Sequence, residues 1–190
     1  MRGYMKNIDK IIGSGKTVFT YNDIKNIVGI ENKETIKSFF SRGVKNGIFD
    51  YITKGIYTLK KYNKLELSTK LKKNSYISFE TVLKKEGIIF QDYQDTIFLA
   101  SDNTITKQFL GVNFRYLNLK KDILLNPIGI INKGNYMIAS KERAICDRLY
   151  LSANYYFDNL EDIDKDKLEK ISLIYNKRVI LEIKKILNNA

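Results

Sequence analysis

Residues 20–59 read TYNDIKNIVGIENKETIKSFFSRGVKNGIFDYITKGIYTL, an order of local signals that leaves few folds open. Thr20 is a capping residue ahead of a helix that carries Ile24, Ile27 and Val28 on one face. Gly29 supplies the left-handed residue that ends it. Asn32 caps a second helix, in which Ile36, Phe40 and Val44 recur at four-residue spacing and read as a buried stripe. Gly47 then releases two short apolar strands, 48–52 and 56–59, joined through Thr53-Lys54-Gly55.

Two helices at a tight turn followed at once by a β-hairpin form the pattern of a winged helix, whose second helix enters the DNA major groove. With successive side chains turning by about 100°, Glu34, Ser38, Ser41, Arg42 and Lys45 fall opposite the apolar stripe, with Thr35 and Lys37 on its flanks. Small hydroxyls let a helix approach base edges, and Arg and Lys reach guanines or phosphates. The expected DNA-contacting set is Thr20, Tyr21, Asn32, Lys33, Thr35, Lys37, Ser38, Ser41, Arg42, Lys45 and, in the hairpin turn, Lys54. A solvated helix in a small structural domain offers similar residue types. Helix, hairpin and charge together favour DNA.

The charge is uneven. The 190-residue chain has a net charge of +12. Residues 1–73 hold 16 Lys/Arg against 6 Asp/Glu, a net of +10, and residues 74–190 hold 17 against 15, a net of +2. A basic first domain beside a nearly neutral second one points to an anionic polymer at the first. Histidine is absent, which excludes Ser-His-Asp and Cys-His catalysis and every histidine metal ligand. Cys146 is the only cysteine, so the chain can form neither an intrachain disulfide nor a thiolate zinc site. No run approaches a membrane span and the N-terminus lacks a signal peptide's apolar core, so a cytoplasmic protein without membrane contact is expected.

The fold class expected is α+β: a winged helix-turn-helix domain over 1–62, a Lys-rich linker over 63–73, and a mixed α/β domain over 74–190 that ends in helices. Residues 4–12 read as a helix with Ile8, Ile11 and Ile12 turned toward the later helices, and Val18-Phe19 as a short strand able to pair with the hairpin. Gly13-Ser14-Gly15-Lys16-Thr17 looks briefly like a phosphate loop, but Lys10 stands where the first glycine belongs, and a helix precedes it instead of a strand. In the second domain Ser78 reads as the cap of a short helix ending at Gly87. Strands are expected over 96–100, 112–119, 128–131 and 136–138, the last two joined by a hairpin through Asn132-Lys133-Gly134-Asn135. Ser140 caps a helix with Ile145 and Leu149 inward and Arg143 and Asp147 as an (i, i+4) pair. Two amphipathic helices follow, one with Leu168, Ile171, Ile174 and Tyr175, the other with Val179, Ile180, Ile183, Ile186 and Leu187.

No catalytic, metal or cofactor site emerges, and an enzyme is not expected. Asp162-Ile163-Asp164-Lys165-Asp166 opens like a calcium loop, but Lys167 replaces its glycine and Leu173 its closing glutamate. Glu182-Ile183-Lys184 resembles a nuclease Glu-x-Lys element, yet it lies in a helical stripe where those enzymes use a strand. Cys146 has neither a histidine nor a convincing base beside it, and reads as an inert thiol.

The winged-helix pattern is followed by Tyr76-Ile77-Ser78-Phe79-Glu80-Thr81-Val82-Leu83, then Gly87-Ile88-Ile89, and later Ile138-Ala139-Ser140-Lys141-Glu142-Arg143-Ala144-Ile145-Cys146-Asp147-Arg148-Leu149-Tyr150. Together these resemble the AbiEi-type antitoxins over nearly the whole chain. The run A-S-x-E-R-A-x-x-D-x-L-Y is the most specific part. The resemblance implies a transcriptional autorepressor whose winged helix binds inverted repeats in its own promoter, an arrangement that accommodates a dimer on DNA. It also implies a C-terminal domain that counteracts a toxin of nucleotidyltransferase fold in phage resistance by abortive infection. Such type IV toxin–antitoxin pairs are described as acting without a stable protein complex. Ser140, Glu142, Arg143 and Asp147 are then either functional surface or a cap and an ion pair that hold one helix in place. A winged-helix regulator with a ligand-sensing or dimerisation domain is the other reading of the same residues.

Overall fold

In the computed structural model of the chain, described over residues 2–189, two units separate, one ending at Leu71 and the other beginning at Lys72. The first unit opens with α1 (Arg2–Gly13), β1 (Val18–Thr20), α2 (Tyr21–Val28) and α3 (Lys33–Lys45). The hairpin β2 (Phe49–Thr53) and β3 (Ile56–Leu59) and the helix α4 (Lys64–Lys70) complete it. Thr20 starts α2 through a reciprocal capping box with Asp23, and Gly29, at φ 79°, closes it. Asn32 starts α3 by accepting from the amides of Glu34 and Thr35.

β3 lies centrally in the antiparallel order β1-β3-β2, with Phe19 opposite Tyr57 and Phe49 opposite Leu59. One face of the three helices meets these strands in a core of Ile8, Ile11, Phe19, Ile24, Ile36, Phe39, Phe40, Phe49 and Tyr57. Phe40 and Tyr57 stack at 3.9 Å between ring centres.

Three details differ from the sequence expectations. Val44 is exposed, because a helical face entered by Ile36 returns after seven residues, at Gly43. Ile12 is likewise exposed, one position past the inward Ile11. The Lys-rich stretch is not a linker over most of its length: α4 belongs to the first unit, with Leu67 buried. The Glu66 carboxylate ties α4 down by accepting from the amide and hydroxyl of Thr17, at 2.9 and 2.7 Å. Lysine count suggested solvation, and the three leucines among the lysines decide the outcome instead.

The second unit is built on a six-stranded mixed sheet, so the chain as a whole combines helices with mixed sheet structure. Its strands are β4 (Tyr76–Ile77), β5 (Thr96–Ser101), β6 (Ile105–Phe109), β7 (Val112–Asn118), β8 (Ile130–Asn132) and β9 (Met137–Ala139). They lie in the order β6-β7-β5-β4-β9-β8, with β5/β7 and β4/β9 parallel and the other pairs antiparallel. Its helices are α5 (Phe79–Lys85), α6 (Lys121–Leu124), α7 (Lys141–Leu151), α8 (Lys165–Ser172) and α9 (Lys177–Asn189). α7 packs against α5, α8, α9 and β9 and is buried on nearly every side. Ser78 stands at the head of α5 but makes no cap bond, because its hydroxyl donates to Asp147 at 2.6 Å. Among the described residues, no helix is long and apolar enough to cross a membrane.

Candidate nucleic-acid interface

α3 divides cleanly between core and solvent. Ile36, Phe39, Phe40 and Gly43 are buried, and Lys33, Glu34, Thr35, Lys37, Ser38, Ser41, Arg42 and Lys45 are all exposed. Gly43 permits this seating: a Cβ there would stand 2.3 Å from a ring carbon of Phe49. The helix therefore lies against β2 at a spacing only glycine allows. Opposite that contact, Ser38, Ser41 and Lys45 form the centre of the outer face. Lys37 comes within 3.8 Å of Glu34, an exposed pair that holds neither side chain firmly. Arg42 sits at the flank, its guanidinium carbon 4.4 Å from the ring centre of Tyr4 on α1. That contact supports the side chain while leaving it exposed.

Three of the expected contact residues are committed to the fold. The Thr20 hydroxyl donates to Asp23 at 2.6 Å within the capping box. The Asn32 side-chain oxygen accepts from the amides of Glu34 and Thr35 at 2.9 and 3.1 Å, so it serves as a cap. Tyr21 is half-buried, its ring stacked against Tyr57 and tilted against Phe40. Lys54 is exposed in the two-residue turn between β2 and β3. Beside it on the hairpin, Tyr51 is 57% exposed and packs edge-on against Tyr57 at 5.5 Å. A period of two sets Tyr51 on the same side of the strand as Phe49. The hairpin outruns the core, and a period of two cannot report that.

Behind the face, electrostatics brace the unit. Asp23 receives Lys16 at 2.7 Å, Lys70 at 2.7 and 2.9 Å, and the Thr20 amide and hydroxyl. Burial pushes its carboxyl up, but the two lysines and the Thr20 donors more than offset this and hold it well below the usual range. Tyr57 is pushed up to about 12, first by burial and then by its hydrogen bond and charge interaction with Tyr21.

The signature residues of the second unit lie inside it. Arg143 and Asp147 are fully buried, and Ser140 and Glu142 nearly so. Ser140 caps α7 by accepting from the Arg143 amide at 3.3 Å. The Arg143 guanidinium donates to the Ile123 carbonyl at 2.6 Å, the Ile128 carbonyl at 2.9 Å and the Tyr76 hydroxyl at 2.9 Å. Asp147 accepts from Ser78, Tyr175 and Tyr76 at 2.6, 2.5 and 3.0 Å. Burial pushes the Asp147 carboxyl up, against the pull of Arg143 and of the three hydroxyls. Glu142 pairs with Lys167 at 2.7 Å. This constellation joins β4, α6, α7 and the segment after α8, and its Arg143 and Asp147 side chains reach no solvent. Tyr76 and Tyr175, two further members, carry no local signal of this role, since a tyrosine in an apolar run reads as core.

The remaining sequence candidates are engaged locally. Asp164 caps α8, Glu182 pairs with Lys185 on α9, and burial pushes the Cys146 thiol up. Among the described residues no cluster of Cys, Asp or Glu is placed to hold a metal ion. No protein-family model matches the chain, and no curated protein matches it.

Proposed function

We propose that the first unit is a winged helix that binds duplex DNA, with α3 in the major groove and the β2–β3 hairpin as its wing. The observation that carries this is the division of α3: an apolar face closed onto β2 through Gly43, and a fully exposed face bearing Ser38, Ser41, Lys45, Lys37 and Arg42. Hydroxyls at the centre of a helix face with cations around them suit base edges bordered by phosphates. The net charge of +10 over residues 1–73 supports the same reading. Lys33, Thr35 and Lys54 extend the contact set, and Thr20, Tyr21 and Asn32 support it from within the fold.

The chain as a whole then acts as an autorepressing antitoxin of AbiEi type, its second unit counteracting a nucleotidyltransferase-like toxin. Support for this part is the A-S-x-E-R-A-x-x-D-x-L-Y run, which here forms the interior of the second unit. The deciding experiment has two arms. The full chain is titrated against the DNA upstream of its own gene and against random duplex. It is also co-expressed with the adjacent gene under an unrelated promoter. Tighter binding to the upstream DNA together with rescue from a toxic neighbour is expected. Equal affinity for both duplexes would remove the repressor, and a harmless neighbour would remove the antitoxin.

A further inference from the structure

The exposed face of α3 carries one acid among its cations and hydroxyls. Glu34, Ser38, Ser41 and Lys45 follow at intervals of four, three and four residues, which sets them in a single row along the outer side of the helix. All four are exposed. Glu34 heads the row, with a side chain 79% exposed and an amide that donates to the Asn32 side-chain oxygen at 2.9 Å. The cap thus fixes the backbone from which this carboxylate projects. Its ion-pair partner Lys37 stands 3.8 Å away in solvent, a pair that exchanges freely.

An acid here does nothing for phosphate binding. The net charge of +10 over residues 1–73 draws the unit to DNA, and each carboxylate on the approaching face subtracts from that. A glutamate in the first turn also favours the helix dipole, and in that role it weakens every DNA sequence alike. With α3 in the groove, however, the head of the row meets base edges. A carboxylate pressed there without a donor is left desolvated and unpaired. Guanine shows two acceptors in the major groove, thymine an acceptor and a methyl group, and adenine an acceptor beside its donor. Cytosine alone shows a donor with no acceptor of its own.

We propose that Glu34 selects a cytosine in the DNA site, its carboxylate accepting from the exocyclic amine of that base. The inference rests on the reading of the first unit as a winged helix, and adds the base that the acid of α3 requires. From Glu34 to Lys45 the row rises about 16 Å, roughly five base pairs at about 3.4 Å each. The cytosine therefore stands at one end of the stretch that α3 covers. Glu34 acts by exclusion as much as by attraction, lowering affinity for sites that offer it no donor.

Selection of bound sequences from a randomised duplex library, by the full chain and by its Glu34→Gln variant, tests this. Wild type should enrich a consensus with a cytosine at one end of the recognised stretch, preferred roughly tenfold or more over the other bases. Glu34→Gln keeps the length of the side chain and removes its charge. It should erase the cytosine preference, leave the rest of the consensus in place, and bind random duplex more tightly than wild type does. If the variant instead binds every sequence more tightly and still prefers cytosine, Glu34 serves the helix dipole alone and the proposal falls. A wild-type consensus without that cytosine also overturns it, while the DNA reading stands. No consensus at all from wild type removes the DNA reading itself, and this inference with it.

Discussion

The Arg143 guanidinium and the Asp147 carboxylate lie 3.3 Å apart, and neither side chain reaches solvent. Spaced four residues along α7, they neutralise each other, while Tyr76, Ser78, Tyr175 and three backbone carbonyls satisfy what remains of both groups. Removing one partner strands the other as a buried charge. Arg143→Met or Asp147→Asn should each lower stability by about 3–5 kcal/mol. The double variant should lose clearly less than the sum, since the stranded charge is gone. Urea unfolding of the four proteins measures the coupling, and additive losses would mean the two groups act independently.

Gly43 makes a sharper steric claim. A methyl group there would sit 2.3 and 2.8 Å from two ring carbons of Phe49, which is itself buried. Gly43→Ala should therefore destabilise the first unit by about 1–3 kcal/mol despite alanine's better helix propensity. It should also weaken DNA binding by displacing α3. A stability equal to or above wild type, read by thermal unfolding, would show that Phe49 can swing aside freely.

What the sequence made legible and what it hid have separate physical causes. Thr20, Gly29, Asn32 and Ser140 act as caps or stops because capping needs only a local residue type at one position. The exposed residues of α3 followed from the same local periodicity, even though the stripe was placed one residue off at Val44. β4 and β6 leave no trace in the local pattern. β4 has two residues and gains its neighbours only from β5 and β9, far along the chain. β6 reads ITKQF, with too few apolar residues to announce itself, and is held as an edge by β7. Ser78 departs from its expected cap role for a related reason. Its partner Asp147 is 69 residues away, and a local cap rule cannot see it. The side chains of Thr20, Tyr21 and Asn32, expected in the contact set, are engaged in caps and ring packing, which position along a helix does not reveal.

Acid should act on the first unit through Asp23. Its carboxyl is held below the ordinary value, so its contribution is complete above the unfolded pKa of about 4 and is lost as pH falls toward the folded value. Asp23→Asn should cost about 1.5–3 kcal/mol at neutral pH, as charge-assisted hydrogen bonds from Lys16, Lys70 and Thr20 weaken. Below pH 4 the gap between variant and wild type should narrow progressively as pH falls toward the folded value. Hydrogen exchange of the α2 and α4 amides across pH gives a readout confined to this unit. A gap that persists unchanged into acid would place the effect elsewhere.

The outer face of α3 supplies the last prediction. Ser38 lies at its centre with a free approach, whereas Arg42 lies at its flank, propped on the Tyr4 ring. A side chain held in place loses little freedom on binding, so Arg42 is suited to a specific base contact, and Lys45 and Lys37 to phosphates. Arg42→Ala and Ser38→Ala should each cost about 1–3 kcal/mol on the DNA upstream of the gene and much less on random duplex. Lys45→Ala and Lys37→Ala should weaken both duplexes alike and flatten the salt dependence by about one unit of log–log slope each. Tyr4→Leu separates support from contact: it keeps an apolar side chain in place but removes the stacked ring, so it should reproduce part of the Arg42→Ala loss on the upstream DNA alone. If Arg42→Ala weakens both duplexes equally, Arg42 is a phosphate contact and the base reading passes to Ser38 and Ser41.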